Sequence, residues 1–293
     1  MHFTERTWRP HYEASSCIIQ LTSGCTYQKC HFCNLYAQEP FRLSPLSEFE
    51  ADLEEIKKYQ PHARRIFLTG ANPFALGYEQ LKPYLLTVRD YLIKCQTIAM
   101  FASIRDIKNK EPWQLRKLRA MGVNGLSIGV ESGDDETLLL ANKGYTAQDI
   151  LEQCRKLEEA EIEYYFVYMT GLAGNGSCFR SAENSARLFN QLNPRFISVT
   201  SLTIFPKTKF FDMVQRGLFT PAEEKERIQE LQILIQNLQI RTHLFANSKS
   251  NFYPTAAYLP KERSFIIREL QNIINTVSEE EMQRYRSTMQ SLE

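Results

Sequence analysis

The stretch Ser16-Cys17-Ile18-Ile19-Gln20-Leu21-Thr22-Ser23-Gly24-Cys25-Thr26-Tyr27-Gln28-Lys29-Cys30-His31-Phe32-Cys33 decides how the rest of the chain is read. Its first seven residues, Ser16–Thr22, form a mostly apolar run of strand length. A glycine-led polar loop follows directly and carries three thiols in CX4CX2C spacing. Thiolates are soft ligands suited to zinc, copper(I) or iron–sulfur clusters. Structural zinc takes four ligands in a closed shell. A nearby fourth cysteine is absent, and His31 adjoins Cys30, which makes joint tetrahedral ligation awkward. A cubane cluster normally takes four cysteines; three leave one iron open to a substrate or cofactor. Zinc, or three unrelated buried cysteines, are the competing readings of the loop alone.

Outward from that loop, apolar segments alternate with helical patterns. The strand candidates are Ser16–Thr22, Arg65–Thr69, Thr97–Ala102, Gly125–Val130, Tyr164–Thr170 and Phe196–Ile204, mostly apolar on both faces as buried parallel strands are. Ser44-Pro45 fits an N-cap with proline at the first helical position, and Phe49, Leu53 and Ile56 then form one apolar stripe. Trp113–Arg119 reads as a helix ended by Gly122. Thr146 with Asp149, and Ser132 with Asp135, look like capping boxes. Ile150, Leu151, Cys154 and Leu157 share one helix face. Six βα units predict an α/β fold, a partial (β/α)6 TIM-like barrel; a doubly wound sheet fits the pattern as well. After about residue 218 the chain turns helical, through Pro221–Ile240, Lys261–Thr276 and Ser278–Ser291. The expected organisation is an N-terminal arm over 1–15, a core over 16–218 and a helical C-terminal cap over 219–293.

The composition sets bounds. With 293 residues the chain can bury a full core, and 43% hydrophobic with 24% charged residues is ordinary for a soluble domain. A net charge of +1 gives no electrostatic case for nucleic acid or an anionic membrane. The basic helix face of Arg116, Lys117 and Arg119 reads as solvated surface. MHFTERTWRP lacks the apolar run of a signal peptide, and no run approaches a membrane span. Seven cysteines in a chain of cytoplasmic character argue against a disulfide framework. Cys17, Cys95, Cys154 and Cys178 are scattered, so no second cluster is expected. Tyr164, Tyr165, Phe166 and Tyr168 crowd the fifth strand and read as core packing.

With GCTYQKCHFCNLY after the first strand, the chain resembles the radical S-adenosylmethionine superfamily, especially its coproporphyrinogen-oxidase-like branch. The usual spacing there is CX3CX2C; this sequence matches a CX4CX2C subgroup, and Phe32 before the last cysteine also fits. The resemblance runs from about Ser16 to Pro206, with a weaker echo at Asn247–Asn251. It implies one [4Fe–4S] cluster on Cys25, Cys30 and Cys33, with S-adenosylmethionine chelating the open iron. It implies reductive cleavage to methionine and a 5′-deoxyadenosyl radical that abstracts hydrogen from a substrate. That substrate is not readable: a small molecule, a tetrapyrrole or a peptide. An external electron donor of flavodoxin or ferredoxin type is implied as partner.

Site roles follow from the same resemblance. In a βα barrel the active-site groups sit on loops at the C-terminal strand ends, and each of the six ends here carries a polar or glycine-rich segment. The segment Thr69-Gly70-Ala71-Asn72 would contact the cofactor's amino group. Ser103 and Arg105 would face its ribose or carboxylate, a fork-shaped guanidinium suiting the latter. Glu131 would reach the ribose hydroxyls. Thr170 and Gly171, then Phe205 and Pro206, would hold the adenine, partly through backbone. Two departures stand out. Asn72 occupies a segment that is usually Gly-Gly-Glu or a close acidic variant, and Ser248 stands where the subgroup often has histidine. A non-catalytic iron–sulfur protein for electron transfer or sensing, and a zinc-stabilised binding module, are the alternative functions.

Overall fold

A computed structural model describes residues 1–37 and 39–289. After a 3₁₀ turn at His11–Glu13 come β1 (Cys17–Gln20), β2 (Thr22–Ser23), β3 (Arg42–Leu43), α1 (Leu46–Tyr59) and β4 (Arg65–Thr69). A 3₁₀ turn at Pro73–Ala75 leads to α2 (Tyr78–Tyr91), β5 (Thr97–Ala102), α3 (Ile104–Lys108), α4 (Pro112–Ala120) and β6 (Val123–Glu131). Then follow α5 (Asp135–Leu140), α6 (Ala147–Glu159), β7 (Tyr164–Thr170), α7 (Cys178–Phe189), β8 (Phe196–Ser201) and α8 (Lys209–Gln215). The chain continues through α9 (Glu224–Asn237), β9 (Thr242–Ala246), β10 (Thr255–Leu259), α10 (Arg263–Thr276) and α11 (Glu279–Ser287).

Eight strands form one mostly parallel sheet in the order β1-β4-β5-β6-β7-β8-β9-β10. β2 and β3 make a separate antiparallel pair. The six expected strands thus appear in chain order, as six adjacent βα units require for a partial TIM-like barrel. Consecutive apolar residues explain why: Ile66, Phe67 and Leu68 of β4 are all fully buried, which only a sheet covered on both faces allows. The reading of 219–293 as helical missed two strands. β9 extends the sheet parallel to β8, and β10 pairs antiparallel with β9. Both are five residues long and half-exposed, so neither shows the apolar run that marks the inner strands. The end of the expected helix Ser278–Ser291 lies outside the described residues.

Local signals mostly hold. Phe49, Leu53 and Ile56 are the buried stripe of α1, and Thr146 and Asp149 exchange capping bonds. Two caps differ. Pro45 itself is the N-cap of α1, because the Ser44 hydroxyl donates to the Gln20 carbonyl at 3.0 Å instead of capping. α5 is capped by Asp134, whose carboxylate accepts from the Thr137 N–H at 3.0 Å, while Ser132 bonds to Ser181 and Ser185.

The chain divides into two compact units. The first comprises Met1–Gln28, Leu35–Ile128 and Gln153–Tyr164; the second comprises Lys29–Asn34, Gly129–Glu152 and Tyr165–Glu293. In the second, Ala141, Leu172, Leu202, Phe210 and Phe219 form a buried cluster, with Phe210 and Phe219 stacked at 4.4 Å. The aromatic residues of β7 are core, as expected: Tyr165 stacks on Phe196 and Phe166 packs on Phe189. Helix α9 packs against α7 and α10. Among the described residues no helix is long and apolar enough to cross a membrane.

Candidate metal centre

In the first unit, Cys25 opens the loop after β2, and its Sγ accepts from the Tyr27 N–H at 3.4 Å. The loop is tied down by Asn72, which follows β4. Its Oδ1 accepts from the Thr26 N–H at 3.2 Å, and its Nδ2 donates to Thr26 Oγ1 at 2.6 Å. The same Nδ2 faces Asp106 on α3, at 3.3 and 3.2 Å from the two carboxylate oxygens. Asp106 also caps its helix by accepting from the Ser103 N–H at 2.8 Å, while Ser103 Oγ accepts from the Arg105 N–H at 3.4 Å. Burial raises the Asp106 pKa, and it also pulls neighbouring Lys110 down to about 8. The Arg105 guanidinium lies 3.2 Å over the Tyr27 ring, a cation–π contact. Gly70 packs against Thr22, whose hydroxyl oxygen is buried without a partner among the described residues.

In the second unit, Cys30 and Cys33 bracket a turn closed by the Cys33 N–H on the Cys30 carbonyl at 3.3 Å. Backbone bonds pin this turn. The His31 N–H donates to Ala141 at 3.0 Å, and the Phe210 N–H donates to the His31 carbonyl at 2.9 Å. Asn142 Nδ2 reaches the Lys29 carbonyl at 2.8 Å, and Asn34 Nδ2 reaches that of Pro206 at 3.2 Å. His31 Nδ1 lies 2.8 Å from the Leu140 carbonyl, so Nδ1 carries a hydrogen and donates it there. Phe32 packs on the buried aromatic cluster.

Glu131 ends β6. It is buried and lies in the left-handed region at φ 64°, a conformation rare outside glycine that gathers at functional sites. Its carboxylate lies against Gly129, where any Cβ would collide with Oε1. Oε1 accepts from Lys143 Nζ at 3.3 Å, while Oε2 has no partner among the described residues. Burial raises the Glu131 pKa. For Lys143, burial works against the charge, but Tyr145, Glu131 and Cys30 outweigh it and the ammonium persists.

Thr170 ends β7, buried, with its hydroxyl 3.4 Å from the Thr200 carbonyl. Gly171 has φ 79°, and a Cβ there would sit 3.0 Å from Arg227 Nε, so only glycine lets that guanidinium approach. The Gly171 N–H donates to Glu230 Oε2 at 2.6 Å, and the Tyr168 hydroxyl donates to Oε1 at 2.7 Å. Burial pushes Glu230 up to about 7. The Phe205 carbonyl accepts the Thr208 hydroxyl at 2.7 Å, and Pro206 is exposed. The late segment clasps the end of β8: Ser250 Oγ accepts from the Ser201 N–H at 3.0 Å, and Asn251 Nδ2 donates to Val199 at 2.8 Å. Ser248 Oγ, at the histidine position, bonds to Ser250 Oγ at 3.0 Å.

Among the described residues, no three Cys, His, Asp or Glu side chains gather at one metal point. The donor chemistry still fits a thiolate-bound cluster. All seven cysteines are unbridged; Cys17, Cys95, Cys154 and Cys178 are buried, whereas Cys25, Cys30 and Cys33 are not. The residues that reading the sequence missed are Asp106, Lys143, Arg227 and Glu230. Each acts on a partner distant in sequence or lies on a helix with no local motif.

A model of the Radical SAM superfamily matches residues 19–183, more than half of the chain. The heme chaperone HemW of Bacillus subtilis (strain 168) is 28% identical over 205 residues, covering 67% of this chain and 53% of its own length. The bacteriochlorophyllide d C-8(2)-methyltransferase of Chlorobaculum tepidum is 26% identical over 278 residues, 89% of this chain and 58% of that protein. The chain spans about half the length of the curated relatives it matches. Coproporphyrinogen III oxidase (HemN) from Escherichia coli superposes with a TM-score of 0.56 at 18% identity, over 75% of this chain and 51% of that one. That likeness speaks for the fold. The coproporphyrinogen-oxidase-like character read from the cysteine loop is borne out. The superfamily's cofactors are a [4Fe–4S] cluster and S-adenosylmethionine. With the cysteine loop, the parallel sheet and a match over residues 19–183, the chain belongs to the radical SAM superfamily.

Proposed function

We propose that this chain is a radical enzyme, holding one [4Fe–4S] cluster on Cys25, Cys30 and Cys33 and cleaving S-adenosylmethionine to act on an organic substrate. The observation that carries this reading is the loop of three unbridged, accessible thiols inside the superfamily match. When bound, the cluster supplies one electron at low potential, and S-adenosylmethionine supplies the 5′-deoxyadenosyl group released as a radical. The chain's own residues position these groups. Glu131 Oε2, buried and without a partner among the described residues, suits a ribose hydroxyl. Lys143 holds a persistent ammonium beside Glu131 and suits the carboxylate. Ser103, Arg105 and Gly70 line the strand ends assigned to the methionyl part. Asn72 acts through the loop, since its amide already bonds Thr26 and Asp106. Phe32 shields the cluster from the core side. Thr170, Gly171, Phe205 and Pro206 border the adenine. Gly171 does so by its shape, because its N–H belongs to Glu230.

The helices of the expected C-terminal cap are fastened at the end of β8 by Arg286 of α11, while β9 and β10 belong to the sheet. The Arg286 guanidinium holds Glu224 at 2.8 and 2.7 Å and Ser201 Oγ at 3.0 Å. An external flavodoxin- or ferredoxin-type donor supplies the electron, in a reducing cytoplasm where thiols stay unbridged. The names of the similar proteins, a heme chaperone, a bacteriochlorophyllide methyltransferase and a coproporphyrinogen III oxidase, support a tetrapyrrole as the first substrate class to test. The heme chaperone among them also favours a second reading, a cluster protein that carries heme without catalysis. Anaerobic reconstitution separates the two. The enzyme yields about four irons per chain and 5′-deoxyadenosine with dithionite and S-adenosylmethionine. A fully loaded protein that binds hemin and forms no 5′-deoxyadenosine supports the carrier.

A further inference from the structure

We infer that a narrow cleft at the ends of β7 and β8 binds the carboxylate group of an organic ligand. Calling that ligand the substrate rests on the enzyme reading above; the site itself does not. Its polar lining comprises Thr170, Ser201, Arg227, Asn251 and the Glu224 carboxylate, with Ile228, Leu231 and Leu270 on the apolar side.

Arg227 is 6% exposed. Its Nε donates to the Ala222 carbonyl at 3.1 Å, and its Nη1 donates to Ser201 Oγ at 3.3 Å and to the Leu202 carbonyl. Its Nη2 has no hydrogen-bond partner among the described residues. Ser201 Oγ accepts from two guanidiniums, Arg227 Nη1 at 3.3 Å and Arg286 Nη2 at 3.0 Å. Neither guanidinium can accept, so the Ser201 hydrogen is directed to a third group. The cleft therefore offers the N–H pair of Arg227 Nη2 and one O–H. An acceptor entering the cleft can take these donors in charge-assisted hydrogen bonds.

Charge points the same way. Glu224 takes Arg286 with both oxygens and stands 3.6 Å from Arg227 Nε. Two guanidiniums thus share one close carboxylate. Glu230 adds less than a full negative charge near neutrality, since burial raises it to about 7. A flat anion with two acceptor oxygens matches a guanidinium edge and a hydroxyl, and the apolar wall suits the carbon skeleton behind it.

The test uses the full-length protein without reductant and the slim acid hexanoate, with hexanamide and inorganic phosphate as comparison arms, followed by ligand-observed NMR. Hexanoate is expected to bind, with hexanamide and phosphate at least about tenfold weaker. Ser201→Ala should weaken hexanoate about threefold, and Arg227→Gln by about tenfold or more. Arg227→Lys, which keeps the charge but not the fork, is the second variant should the glutamine protein fail to fold; it should weaken hexanoate by several fold. Hexanoate that does not bind, that binds no better than its amide, or that ignores Ser201→Ala and Arg227→Lys in folded protein would overturn the site and leave hydration alone in the cleft. Phosphate binding equal to hexanoate would overturn the carboxylate assignment. Failure of 5′-deoxyadenosine formation with hexanoate still bound would count against the enzyme reading and leave the carboxylate site standing.

Discussion

Two carboxylates of the second unit, Glu131 at the end of β6 and Glu230 facing the end of β7, are both buried and both have raised pKa values because of that burial. They differ in what their oxygens do. Both oxygens of Glu230 are occupied, by the Tyr168 hydroxyl and the Gly171 N–H. One oxygen of Glu131 has no partner among the described residues, and its backbone sits in the left-handed region. The first arrangement closes a strand end upon itself; the second leaves one open. A satisfied buried carboxylate serves the fold, whereas an unsatisfied one held in a left-handed backbone is the candidate for a ligand contact.

The largest effect is expected at the cysteine loop. Cys30→Ala should take iron from about four per chain to none by elemental assay. The buried thiol variant Cys154→Ala should load iron like the unaltered protein. Equal iron in the two variants would break the assignment of ligands. Glu230→Ala strands two buried donors and should lower unfolding stability by about 3 kcal/mol in a denaturant titration, with iron loading kept. Its pH dependence has a definite sign. The folded-state pKa of Glu230, about 7, exceeds the unfolded value of 4.5, so the folded state binds that proton more tightly. The contribution is fully present below pH 4.5 and declines as pH rises toward 7. Glu230→Gln should flatten that decline.

Asn72→Asp would place a second carboxylate against Asp106 and remove the amide donor to Thr26. We expect about 2 kcal/mol lower stability and weaker retention of iron on dilution, since the loop half bearing Cys25 loosens. The smallest stability effect is expected for Glu131→Gln, within about 1 kcal/mol, because the amide oxygen still accepts from Lys143. Its S-adenosylmethionine affinity should nevertheless fall about tenfold by equilibrium dialysis. A large stability loss with unchanged affinity would make Glu131 a second Glu230 and erase the contrast.

Much of this was legible along the chain. Strands such as Arg65–Thr69 announce themselves because both faces are buried, so the inner residues Ile66, Phe67 and Leu68 are all apolar. The cysteine spacing and the glycine after β7 are equally local. β9 and β10 were not legible, since a half-exposed strand at the growing side of a sheet has too few apolar residues to register. The Ser44 and Ser132 caps were misread because each hydroxyl found a partner far away in sequence.

By itself the sequence determined which segments are the buried parallel strands and the loop on which three thiols stand. Those follow from local rules: which residues tolerate burial, and which spacing puts sulfur on one turn. Only the tertiary structure decided that Asp106 stands behind Asn72, that Lys143 answers Glu131, and that Arg227 and Glu230 come from α9 to Gly171. The last of these contacts joins residues more than fifty positions apart. It is made by folding the chain back on itself, and no pattern within a single element encodes it.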